Sequence, residues 1–202
     1  MDRRLLLGTH NPGKLKEITT ILEGSGWSFS SLREFPGVGP AAEEGAAYTE
    51  NAIAKARYYA AATGLLALAD DSGLEVAALD GRPGIYSARY AGENASDADR
   101  RQLLLSELPK VGGGDRRARF VAAVAISKPD GSVVNISEGI CEGTITFAPR
   151  GTGGFGYDPL FVPDGYNQTF AELPDDVKNR ISHRARALME IRHSLDHLHP
   201  SS

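Results

Sequence analysis

Residues Arg4-Leu5-Leu6-Leu7-Gly8-Thr9-His10-Asn11-Pro12-Gly13-Lys14 decide the fold. The apolar run at 4–7 is short and is stopped by Gly8, the pattern of a buried strand. Asn11-Pro12 reads as a helix N-cap followed by its first residue. Leu15, Ile18 and Leu22 recur at helical spacing, and Gly24 ends them. The chain therefore opens strand, tight loop, helix. Further out, Pro36, Gly37, Gly39, Pro40 and Gly45 make 35–45 a loop. A second helix is expected from the N-cap Thr49 to Ala62, closed by Gly64. Leu65 to Ala69 reads as a second buried strand, ending at Asp70-Asp71-Ser72-Gly73. A third helix spans Ser96 to Leu108 with Ser96 or Asp97 as its cap, and Gly112-Gly113-Gly114 reads as a flexible connection. Phe120 to Ser127 and Ser132 to Glu138 flank Pro129-Asp130-Gly131, which predicts a hairpin. Gly139 to Phe147 extends that sheet. A last helix is expected from Asp175 to Leu198, with Ile181, Ala185, Leu188, Ile191, Leu195 and Leu198 as its core stripe and a frayed tail after His199. Strands alternating with helices, then a late hairpin, indicate an α/β fold on a mixed sheet. No repeat and no clean linker divides the chain, so residues 1–202 read as a single domain.

The 202 residues are 41% hydrophobic and 24% charged, which excludes collagen, coiled coil and disordered chains. No apolar run approaches the ~18 residues of a membrane span, and no long apolar stretch follows Met1 to Leu7 to make a signal peptide. A single cysteine, Cys141, excludes an internal disulfide and fits a reducing cytoplasm. The net charge of −4 weighs against nucleic acid as a partner, because phosphate neutralisation needs a basic face. A small anionic ligand stays open.

Four constellations carry chemistry. Gly8 to Lys14 sits between a strand and a helix start, where backbone amides and the helix dipole favour an anion. It nearly spells a P-loop, but Leu15 stands where that loop needs a hydroxyl for magnesium, and Pro12 removes one amide. The alternative is a capped loop with a solvated lysine. Asp70-Asp71 at a strand end crowds two carboxylates, which a cation such as magnesium would relieve. The alternative is an Asp-rich turn, and strand geometry aims the two side chains in opposite directions. Thr152-Gly153-Gly154-Phe155-Gly156-Tyr157-Asp158-Pro159 opens room for a flat ring stacked on an aromatic, although such clusters are commonly turns beside a core. Lys178 and Ser182 are i and i+4, and with His183 and Arg184 they could serve a base edge, a phosphate, or a solvated helix face.

Six motifs then follow in order. They are Thr9-His10-Asn11-Pro12-Gly13-Lys14 with Glu17; Glu50-Asn51-Ala52 with Lys55-Ala56; and Ala69-Asp70-Asp71-Ser72-Gly73-Leu74. After them come Pro83-Gly84-Ile85-Tyr86-Ser87-Ala88-Arg89-Tyr90; Gly153-Gly154-Phe155-Gly156-Tyr157-Asp158; and Ile181-Ser182-His183-Arg184. On these, the chain from about Leu5 to Leu195 resembles the inosine/xanthosine triphosphate pyrophosphatases. The resemblance implies an elongated central mixed sheet with flanking helices in two lobes and an active-site cleft between them. It implies a cytoplasmic, homodimeric, magnesium-dependent enzyme that cleaves ITP, dITP and XTP to the monophosphate and pyrophosphate and so cleanses the nucleotide pool. Nucleic acid and membranes are not expected partners. Carried over by motif, Thr9, His10, Asn11, Pro12, Gly13 and Lys14 contact the triphosphate, and Lys55 is a further phosphate ligand. Asp71 binds magnesium and acts as general base, and Ser72 contacts substrate. Phe155, Gly156, Tyr157, Asp158, Lys178, His183 and Arg184 hold the base and sugar. The second metal-binding glutamate is placed at Glu43, with Glu44 as the alternative. The run Glu43-Glu44-Gly45, with Ala47 where the family commonly has Thr, departs from the usual pattern. His10 stands where a small residue is common, so its side chain is expected to point away.

Donors from His183 and Arg184 would accept a purine with a 6-oxygen and reject the 6-amine of adenine. Guanine shares that oxygen, so its exclusion must involve the 2-position. Three readings compete: a P-loop NTPase releasing γ-phosphate, a Maf-type nucleotide pyrophosphatase, and a non-catalytic nucleotide or RNA-binding module. Leu15 and Pro12 count against the first, Ser182-His183-Arg184 against the second, and the carboxylate pair with the acidic balance against the third.

Overall fold

The computed structural model describes residues 3–108 and 114–198. Strand β1 (Arg4–Leu7) leads through a short loop into helix α1 (Pro12–Ile21), as the opening sequence predicts. Asn11 caps the helix: its side chain accepts from the amides of Gly13 at 2.8 Å and Lys14 at 3.1 Å. Pro12 takes the first helical position, where an amide hydrogen would have no helical partner. Strand β2 (Ser28–Ser31) follows, then helix α2 (Tyr48–Thr63), strand β3 (Leu66–Val76) and helix α3 (Asp97–Glu107). Strands β4 (Arg117–Ser127), β5 (Val133–Ile145) and β6 (Phe161–Pro163) and helices α4 (Asp175–Ile181) and α5 (His183–His197) complete the order.

The six strands form one sheet in the order β2-β1-β3-β4-β5-β6. β1 runs parallel to β2, with Arg4 opposite Ser28, and parallel to β3, with Leu5 opposite Leu66. β6 is antiparallel to β5, so the sheet is mixed, as expected. β4 and β5 are neighbours joined by the Pro129-Asp130-Gly131 turn, where Lys128 N donates to Ser132 O at 2.9 Å and Gly131 adopts φ +85°. The turn confirms the hairpin, and β5 absorbs the expected extension into one strand.

The chain divides into two compact units. The first comprises Met1–Asp71, Ala122–Gly139 and Arg184–Ser202, and the second Ser72–Val121 and Ile140–His183. β3, β4 and β5 therefore each contribute residues to both. The first unit buries Leu5, Leu7, Ile18, Leu22, Leu68, Val124, Ile126, Leu188, Ile191 and Leu195 together. The second buries Leu74, Leu79, Leu104, Phe120, Ile145, Leu160, Phe161 and Phe170.

Three local expectations change. α2 begins at Tyr48 with Ala47 as its cap, not at Thr49. Its first turn instead reaches back to the loop: Glu50 accepts from Ala46 N and Asn51 from Gly45 N, each at 2.8 Å. β3 does not stop at Ala69 but runs through Asp70-Asp71-Ser72-Gly73 to Val76. Those residues have poor strand propensity, and tertiary pairing overrides it. The last helix is two helices, broken at Ser182, whose φ −66° and ψ 160° are extended. The break lets Ile181 pack with the second unit's core while Leu188, Ile191 and Leu195 serve the first. Strand β2 carried no sequence expectation at all. Gly112 and Gly113 of the expected flexible connection, and the tail from His199, lie outside the described residues.

Gly143 on β5 pairs with Pro163 on β6. A methyl group there would lie 2.2 Å from the carbonyl oxygen of Val162 and 2.7 Å from the Phe161 ring. Gly143→Ala is therefore expected to lower unfolding stability by about 1–3 kcal/mol, as overpacking does. Urea denaturation followed by circular dichroism measures it.

Candidate active site

In the first unit, the loop after β1 presents its own construction. Thr9 Oγ1 accepts from Asn11 N at 3.1 Å, and Asn11 caps α1, so these two side chains shape the loop. His10 lies edge-on to Tyr59 with ring centroids 6.3 Å apart. Lys14, one turn into the helix, reaches Asp70 Oδ2 at 3.1 Å. Burial lowers the Lys14 pKa, and Asp70 opposes that effect without cancelling it.

Asp70 and Asp71 are successive residues of β3, and they take different partners, as the alternation of a strand requires. Asp70 Oδ2 also accepts from Arg184 Nε at 3.1 Å and Nη2 at 3.0 Å, and Arg184 Nη1 donates to Glu17. Arg184 is only 2% exposed. Burial alone would raise the Asp70 pKa, but Lys14 and Arg184 hold it well below the ordinary 3.8. Burial likewise disfavours charge on Arg184, yet Asp70 and Glu17 raise its pKa above the usual value.

Asp71 belongs to a second group. Its Oδ2 accepts from Asn51 Nδ2 at 3.0 Å and its Oδ1 from Lys55 Nζ at 2.8 Å. Lys55 Nζ also donates to Glu43 Oε1 at 2.9 Å. Of the two adjacent glutamates, Glu43 stands at this group, while Glu44 is exposed. Burial would lower the Lys55 pKa, but Asp71, Asp70 and Glu43 together raise it. All the anionic donors are hard carboxylate oxygens, two of them on a single ammonium, a set that fits magnesium. No cluster of three or more His, Cys, Asp or Glu suited to a metal occurs among the described residues, so a magnesium ion held here would need further oxygens from ligand and water.

In the second unit, the glycine-rich loop is organised by Asp158. That carboxylate accepts from Phe155 N at 2.8 Å and from the ammonium of Lys178. Gly154 has φ +67°, and a Cβ there would lie 2.0 Å from Asp158 Oδ2, so only glycine serves. Lys178 Nζ lies 4.9 Å from the Phe155 ring centroid and 5.5 Å from that of Phe170. The His183 ring stacks on Phe120 at 4.6 Å, with 10° between planes. Gly156 N donates to Asp97 at 2.7 Å. Tyr157 OH donates to Ser87 O at 3.1 Å, and Ser87 Oγ in turn accepts from Leu74 N at 2.9 Å, two residues beyond the half-buried Ser72. This arrangement offers an aromatic face, a buried cation and an imidazole to a planar ligand.

A family model described as the Ham1 family matches residues 5–194. The chain belongs to the Ham1 family. A Geobacter sulfurreducens protein named dITP/XTP pyrophosphatase is 50% identical over 195 residues, 96% of each chain. A Thermus thermophilus protein of the same name is 50% identical over 185 residues, 92% of this chain and 88% of its own. A solved HAM1 protein from Coxiella burnetii is 42% identical, with a TM-score of 0.87, over 98% of this chain and 100% of that one. The sequence resemblance and the expected α/β fold are borne out.

Arg184, expected at the base edge, has its guanidinium on Asp70 and Glu17. Asn51, Phe120 and Phe170 are among the side chains at these groups that carried no assigned role. Asn51 had a signal: it is four residues before Lys55, so both share a face of α2, and that face also buries Ala52 and Ala56. Phe120 and Phe170 had none: Phe120 lies in an apolar run, and Phe170 stands between Thr169 and Ala171 in no motif.

Removing Arg184 leaves Asp70 and Glu17 buried without their shared cation. Arg184→Met is expected to cost about 3–5 kcal/mol of unfolding stability, read by denaturant titration. Because Asp70 titrates below its unfolded value of 3.8, its stabilising contribution is complete above that pH and lost as pH falls below it. The stability gap between wild type and Asp70→Asn should therefore be constant near pH 7 and shrink below about pH 4.

Proposed function

We propose that this chain hydrolyses dITP, ITP and XTP between the α- and β-phosphates, giving the nucleoside monophosphate and pyrophosphate. The observation that carries the reading is in the first unit, where Asp71 and Glu43 converge on one ammonium at 2.8 and 2.9 Å. Lys14 lies in the same unit, at the start of α1 after the Thr9–Gly13 loop. A triphosphate carries about four negative charges near neutral pH, and two lysines with a divalent cation offset them. Magnesium, held by Asp71 and Glu43, would supply charge neutralisation and polarise the phosphoryl group.

Thr9, His10, Asn11, Pro12, Gly13 and Lys14 would bind the phosphates, joined by Lys55. Asp71, its carboxylate oriented by Asn51, would take the proton of the attacking water. The water oxygen bonds to the α-phosphorus, the bond to the bridging oxygen breaks, and pyrophosphate leaves with that oxygen. Ser72 would contact substrate. Phe155 would stack on the purine, and Gly156, Tyr157, Asp158 and Lys178 would shape the base and sugar site. His183 would donate to the purine 6-oxygen, which adenine lacks. Arg184 would act by holding Asp70 and Glu17 in place. The family resemblance and the lone Cys141 support a cytoplasmic homodimer that removes non-standard purines from the nucleotide pool. No helix among the described residues is long and apolar enough to cross a membrane.

With ITP and magnesium, IMP and pyrophosphate should appear together, without IDP, as resolved by anion-exchange chromatography. IDP with orthophosphate as first products would instead select γ-phosphate release. Asp71→Asn should lower the rate by roughly 10²–10⁴-fold, through loss of a base and a metal charge.

A further inference from the structure

Lys55 occupies an unusual place for a phosphate ligand. It is only 6% exposed, and its ammonium touches two carboxylates, Asp71 Oδ1 at 2.8 Å and Glu43 Oε1 at 2.9 Å. Those are the two residues assigned to magnesium. Lys14 and Arg184, cations of the same unit, are engaged elsewhere, on Asp70 Oδ2 at 3.1 and 3.0 Å. One ammonium therefore already pairs with both carboxylates that would hold the metal.

We propose that Lys55 is the resident cation of the metal seat, holding Asp71 and Glu43 together and keeping divalent metal out until nucleotide arrives. The inference rests on the pyrophosphatase reading for the nucleotide but not for the ion pair itself. A divalent ion brought between the carboxylates would sit within a few ångströms of the ammonium, and like charges in a partly buried setting repel strongly. The two carboxylates alone also leave most of a magnesium shell to water. A triphosphate changes both terms. It supplies further oxygens for the metal, and it supplies an anion to which the flexible lysine stem can swing its ammonium. Asn51 keeps Asp71 in place while the lysine leaves, because its bond is to the other carboxylate oxygen, Oδ2. Lys55 would thus leave the two carboxylates open to a divalent cation only once a triphosphate is bound.

The test is metal binding by the nucleotide-free full-length chain, by calorimetry with Mg²⁺ and by the electron paramagnetic resonance signal of free Mn²⁺. Lys55→Met keeps the stem and removes the charge. It should bind one metal ion about 10–100-fold more tightly than wild type. Lys55→Arg should stay as weak as wild type, and adding Asp71→Asn to Lys55→Met should abolish the gain. A Lys55→Met variant that binds metal no more tightly than wild type overturns the proposal, as does a gain that survives Asp71→Asn. If Lys55→Met does not fold alone, its thermal unfolding with added Mg²⁺ decides, since a ligand that binds only the folded state stabilises it. Folding rescued by Mg²⁺ supports the proposal, and no rescue overturns it. Product analysis on wild type tests the pyrophosphatase reading separately. Wild type making IMP and pyrophosphate without a metal gain in Lys55→Met rejects only the resident cation. A metal gain with no cleavage of ITP rejects only the substrate reading.

Discussion

The bond from the Arg184 guanidinium to Asp70, shared with Lys14, is the constraint on which the first unit's chemistry depends. Arg184 begins the long α5, Lys14 begins α1, and Asp70 lies in the middle of β3. One carboxylate thus ties two helices to a strand. A fully buried charge is tolerated only when its partners are equally fixed. Here the fixing is mutual, since Glu17 on α1 takes the remaining arm of the guanidinium. With Asp70 committed, the neighbouring carboxylate is free of that network and serves a different one.

That separation follows from strand alternation. Two adjacent aspartates on a loop would compete for the same cations. On β3 they face apart, and each acquires its own lysine: Lys14 for Asp70 and Lys55 for Asp71. The acidic pair thus resolves into two carboxylates with separate partners, Arg184 and Lys14 for Asp70, Asn51 and Lys55 for Asp71. The second unit uses the same device in miniature. Asp158 is held by Lys178 and by the Phe155 amide, and that hold sets the glycine-rich loop against aromatic rings.

Much of this was legible along the chain. Asn11-Pro12 announced α1, and Gly64 at φ 71° closed α2 as a left-handed cap. Ser96 proved the cap of α3, with Asp99 completing a capping box. The motif residues Lys14, Lys55, Asp71, Asp158 and Lys178 all take part in largely buried ion pairs. What failed to show locally were elements whose sequences argue against them. β3 continues through Asp-Asp-Ser-Gly, and Ser182 interrupts an unbroken apolar stripe.

The sequence by itself determined the opening strand, loop and helix, the β4–β5 hairpin, the α/β class, the family and the inventory of charged groups. It could do so because caps, turns and periodicity act over a few neighbouring residues. Only the tertiary structure decided which charges meet. Arg184 and Asp70 are 114 positions apart, Arg184 and Glu17 are 167 apart, and no local rule links them. Nor could any local rule place Phe120 under His183, or choose Glu43 over Glu44 as the partner of Lys55. These pairings arise because a charge or ring removed from water must find a partner wherever the folded sheet brings one.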